Sequence, residues 1–170
     1  KPGVRFSEIV REAQHLGYTE PDPREDLLGL DVRRKLIILA RETGLALEAE
    51  DVTIQPLLPE SCIKAETVDS FFLELEKADA YFNNLLAGAT SRGCVLRLAA
   101  TLYKSEASVG LIEVNSNHPF FQLDGSDNMI VFTTDRYKER PLVVRGPGAG
   151  AEVTAAGVFS EVIKIGNFLS

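Results

Sequence analysis

Val95-Leu-Arg-Leu-Ala-Ala-Thr-Leu-Tyr103, a polar break at residues 104–108, and then Val109-Gly-Leu-Ile-Glu-Val114 read as two strands of a hairpin. Before Cys94 the apolar residues recur at helical spacing; from Cys94 onward the period changes. Upstream, Phe6, Ile9, Val10, Ala13 and Leu16 mark a helix over residues 7–16, with Ser7 as its cap and Gly17 as its stop. Val32, Leu36, Ile37, Leu39 and Ala40 mark a second over 31–43, with the acid Asp31 suited to its N-terminus and Gly44 after its end. A short strand at 52–54 is stopped by the prolines at 56 and 59, and a long helix over 67–86 is expected to break near Lys77. Downstream, strands are expected at 129–134 and 142–145, then a glycine turn and a helix at 155–165. Helices first and hairpin-linked strands later imply an α+β fold, a mostly antiparallel or mixed sheet with helices packed on one face. No internal boundary is visible, so residues 1–170 read as one domain.

The bulk numbers agree with a packed core. At 170 residues, 45% hydrophobic and 25% charged, the chain is long enough to fold without staples and too apolar for disorder. A net charge of −7, with no basic patch, argues against nucleic acid or an anionic membrane as partner. Cys62 and Cys94 lack any CxxC spacing and read as free thiols filling a core, which suits a cytoplasmic chain. A start at Lys1-Pro-Gly3 without Met is expected of a piece cut from a longer protein.

Between the first two helices, prolines at 21 and 23 and Gly29 forbid a regular element over most of residues 18–31. Glu20, Asp22, Glu25, Asp26 and Asp31 stand there against Arg24 alone, a local charge of −4. Such a segment is either a solvated loop with helix-capping acids or the receptor for a cation. A calcium loop needs acids at alternate positions and a central glycine, a pattern the prolines spoil, so no metal is expected. Asp31 and Lys35 lie four apart and project from one helical face. On most helices this is a surface ion pair; beside an acidic loop and strongly apolar neighbours it can be an ammonium placed to protonate a carbonyl oxygen.

Gly146-Pro-Gly148-Ala-Gly150-Ala151 fits G-x-G-x-x-A, but no second strand with an acid follows as a dinucleotide fold requires. It reads either as a tight strand-to-helix turn or as a point where backbone approaches a cofactor held mainly elsewhere. His15 and His118 have no nucleophile signature beside them and receive no role.

Two segments carry a resemblance. Gly17-Tyr-Thr-Glu-Pro-Asp-Pro-Arg-Glu-Asp-Leu-Leu-Gly-Leu-Asp-Val-Arg-Arg-Lys-Leu36 resembles the signature of homoserine dehydrogenases, and Arg145-Gly-Pro-Gly-Ala-Gly-Ala-Glu-Val-Thr-Ala-Ala-Gly-Val158 resembles their C-terminal glycine turn. The resemblance implies an NAD- or NADP-dependent interconversion of aspartate 4-semialdehyde and homoserine, on the route to threonine, methionine and isoleucine. By that resemblance Lys35 is the catalytic acid/base with Asp31 beside it. Glu20 and Asp31 are substrate ligands, Glu20 for the substrate's amino group, with Asp26 and Tyr18 supporting, and Gly150 approaches the cofactor. The nucleotide-binding domain, the monovalent-cation site and several substrate contacts belong upstream of Lys1, so this chain alone is expected to be inactive. The Thr19-Glu-Pro-Asp-Pro-Arg24 form resembles bifunctional aspartokinase–homoserine dehydrogenases and the fungal enzymes. A homodimer formed through this domain's sheet is also implied. The competing readings are a non-catalytic amino-acid-binding or regulatory module and a purely dimerising domain.

Overall fold

A computed structural model of the chain describes residues 3–125, 127–148 and 151–169. They form two compact units, Lys1–Asn115 and Ser116–Ser170, a division that the sequence reading had not placed.

The first unit contains two cores. One is helical. Helices α1 (Phe6–His15), α4 (Glu60–Ile63), α5 (Val68–Lys77) and α6 (Asp79–Ser91) surround Val10, Leu58, Cys62, Phe71, Phe72, Leu75 and Phe82. The second core lies between α3 (Leu30–Glu42) and a three-stranded sheet: Leu36, Ile37 and Ala40 of the helix meet Val52, Ala107 and Val109 of the strands. Strands β1 (Val52–Ile54), β2 (Val95–Tyr103) and β3 (Glu106–Val114) are ordered β1-β3-β2, with β1 parallel and β2 antiparallel to β3. Leu98, Ala100 and Leu102 share the helix-covered face because side chains alternate along a strand.

Several boundaries depart from the sequence reading. The hairpin is tighter than the polar break suggested: Glu106, Ala107 and Ser108 pair with Tyr103, Leu102 and Thr101, which leaves Lys104 and Ser105 as the turn. Lys104 takes φ 56°, the left-handed value that two-residue hairpin turns require. The long helix breaks at Ala78, next to the expected Lys77, and its second half runs on to Ser91. One helical turn, α4, was hidden by its length and follows Pro59. Ser7 does not cap α1, which begins at Phe6. Ser7 is buried, its N–H and Oγ donating to the carboxylate of Asp79 at 2.9 and 2.6 Å, so a residue from α6 occupies that helix end. Cys62 fills the helical core as expected, and burial pushes its thiol pKa up; Cys94 is only half-buried.

In the second unit, β4 (Asp127–Phe132) and β5 (Leu142–Pro147) pair antiparallel, and α7 (Ala151–Leu169) follows. The order of strands and helix matches the sequence reading; Ala149 and Gly150 of the expected glycine turn lie outside the described residues. The helix is longer than residues 155–165, starting at Ala151 and running on through Gly166 to Leu169. Among the described residues no helix is long and apolar enough to cross a membrane.

Candidate functional site

The acidic loop is an ordered structure at the seam of the two cores. Its prolines do not exclude regular structure: Pro23 is fully buried and precedes a single helical turn, α2 (Arg24–Leu27). Proline is compatible with a helix start because the missing N–H would have no partner there. Leu27 and Leu28 pack on the helical core, whereas Val32 packs on the core under the sheet. Between them Gly29 sits at φ +68°, and a Cβ there would lie 2.7 Å from Cγ1 of the fully buried Val109. Only glycine lets the chain pass this point and start α3 against the sheet.

Hydrogen bonds fix the rest of the loop. The Gln14 side chain donates to the Pro21 carbonyl at 3.0 Å, and the Glu20 N–H donates to Asp26 Oδ2 at 2.9 Å. Glu20 and Asp26 are therefore brought together, with the Glu20 carboxylate on an exposed stretch. The Asp26 carbonyl accepts from the Gly29 N–H at 2.9 Å, tying α2 to the residue that opens α3. Asp22 sits within the same loop, and the guanidinium of Arg24, through side-chain hydrogen bonds first, holds its carboxyl below the usual carboxylate range.

One turn into α3, Lys35 Nζ stands 3.1 Å from Asp31 Oδ2, the contact that the i, i+4 spacing implies. The side chains are 54% and 48% exposed, so the pair is wetter than the apolar neighbours suggested. At that exposure it adds under about 1 kcal/mol to stability. Tyr18 donates its N–H to the Ala13 carbonyl at 2.9 Å and is 74% exposed. Concavities of about 640 Å³ at residues 135–140 and about 320 Å³ at Leu45, Ala46, Leu47, Asp51 and Ser105 include none of Tyr18, Glu20, Asp26, Asp31 or Lys35. The pair lies on an open face of the first unit.

Gly150 lies outside the described residues. Gly148, in the same turn, has a packing reason to lack a side chain: a Cβ there would lie 1.8 Å from Asn128 Nδ2. Sequence reasoning missed Arg24 as an organising side chain; its alternation with acids offered a signal, but its contact with Ala65, 41 positions on, did not.

Fold and geometry define the class: an α+β domain that presents an acidic loop and a lysine–carboxylate pair at the start of one helix. The chain belongs to the homoserine dehydrogenase family, whose model matches residues 1–163. It is 48% identical over 166 residues to the bifunctional aspartokinase/homoserine dehydrogenase 2, chloroplastic, of Zea mays, covering 96% of this chain and 18% of that protein. It is 45% identical over 168 residues to the homoserine dehydrogenase of Schizosaccharomyces pombe, covering 97% of this chain and 45% of the other. A solved structure of a Candida auris protein of unknown function superposes with a TM-score of 0.88 at 38% identity, over 98% of this chain and 47% of that one. This chain therefore spans less than half the length of each of these relatives.

Proposed function

We propose that this chain supplies the substrate-handling part of a homoserine dehydrogenase that reduces L-aspartate 4-semialdehyde to L-homoserine with NADH or NADPH. The observation that carries the reading is the 3.1 Å pair of Lys35 and Asp31 one helical turn from a loop in which Asp26 holds Glu20. An anionic loop suits the ammonium of an amino-acid substrate. Glu20 receives that ammonium, with Asp26 fixing the Glu20 backbone and Tyr18 and Asp31 at the margin of the same face. The nicotinamide, when bound, supplies a hydride to the aldehyde carbon. Lys35, an ammonium 3.1 Å from Asp31, gives its proton to the aldehyde oxygen, and the alcohol results; in the reverse direction Lys35 accepts that proton.

Gly150 is assigned to the approach of the cofactor, whose main binding fold lies in the remaining length of the parent protein. The bifunctional relative supports an aspartokinase in that length. Two copies are assigned to associate through this domain's sheet, in which the nine-residue β2 forms an edge.

The test is Lys35→Ala in the full-length protein. Turnover should fall about 10²- to 10⁴-fold, the usual contribution of a positioned general acid, while homoserine binding by calorimetry stays near wild type. Turnover within a few-fold of wild type would instead favour a non-catalytic amino-acid-binding module.

A further inference from the structure

We infer that Arg24 is a positioning residue, which holds the acidic loop in register for the substrate by clamping it to the segment between α4 and α5. The inference rests on the functional reading above and adds to it a residue that touches no reactant.

The geometry is specific. Nε of Arg24 lies 2.9 Å from Asp22 Oδ1 and Nη2 lies 2.5 Å from Asp22 Oδ2, a two-pronged pair along one edge of the guanidinium. Nη1, on another edge, donates to the carbonyl of Ala65, which packs against the helical core. Cζ lies 5.8 Å from the ring centre of the fully buried Phe71. The side chain is only 17% exposed, unlike the half-exposed ion pairs elsewhere on the surface. A planar fork with five donors can serve a carboxylate and a carbonyl at once; a lysine ammonium on a flexible stem cannot hold both in one plane. The clamp spans Asp22 to Arg24, and Glu20 and Asp26 stand two residues outside it on either side, joined by their own hydrogen bond. Slack in the clamp displaces both.

Charge and geometry make opposite forecasts here, which is what makes the inference testable. Removing Arg24 leaves the loop more negative, so attraction of an ammonium alone would lower the KM for homoserine. Positioning requires the KM to rise.

In the full-length protein, Arg24→Ala should raise the KM for homoserine about tenfold with kcat within about threefold and the nucleotide KM unchanged, the pattern of lost substrate binding. Added guanidinium should partly restore it. Arg24→Lys, which conserves charge and should fold, should still raise that KM several-fold. An unchanged or lowered homoserine KM in both variants of an active protein overturns the inference alone, as does a lowered melting temperature with unaltered kinetics. A wild-type protein that does not oxidise homoserine overturns the functional reading and this inference with it.

Discussion

Asp79 shows how much a single carboxylate can do in this fold. It is 7% exposed and accepts both the N–H and the hydroxyl of Ser7, at the end of α1 where backbone N–H groups lack helical partners and the helix dipole favours a negative charge. Truncation leaves two buried donors unsatisfied. Asp79→Ala should therefore lower unfolding free energy by about 2–3 kcal/mol, read as a shifted denaturant midpoint, with Asp79→Asn losing less. A midpoint equal to wild type would show that water replaces the carboxylate. The same residue explains a misreading. Ser7 has the residue type and position of a cap, so local sequence assigns it that role; its real partner is 72 positions away, and no local pattern carries that distance. Lys35 and Asp31 were legible for the converse reason, since a helix brings residues four apart together whatever surrounds it. Glu20 and Asp26 were legible as acids but not as a bonded pair, because their contact depends on the turn made by α2.

Elements with a clear period were readable almost to their ends, as β1 and α3 show, although the second half of the long helix runs five residues past its expected end at 86. The acidic loop was not, because its order comes from contacts to two different cores rather than from any repeat of its own. Gly29 is the hinge of that arrangement. A side chain at φ +68° is strained, and here it also meets Val109, which is fully buried and cannot move aside. The left-handed strain and the overpacking together should make Gly29→Ala less stable by about 2–4 kcal/mol. Gly44, at φ +86° with open space around it, is the control: Gly44→Ala carries the backbone strain without the clash and should lose less. Equal losses in the two variants, measured by thermal or denaturant unfolding, would mean that contact with Val109 contributes nothing to seating α3.

For the molecule as a whole, the division at Asn115 and Ser116 left no trace in the sequence, because the second unit repeats the hairpin and helix patterns of the first. In the second unit, β4 and β5 pair antiparallel and β5 precedes α7, whereas a dinucleotide fold is built on parallel strands. Its helix also leaves Val158, Phe159, Val162, Ile165 and Phe168 exposed, an apolar surface larger than water-facing helices usually carry. β2 lies at one edge of the first unit's sheet. The 170-residue chain on its own should thus sediment as a dimer at micromolar concentration while failing to oxidise NADPH in the presence of aspartate semialdehyde. The two readouts separate two claims. A monomer would remove the sheet-mediated association and leave the chemistry untouched. NADPH oxidation above background would mean that these residues alone hold the nucleotide, and the assignment of its binding fold to the rest of the parent protein would then be wrong.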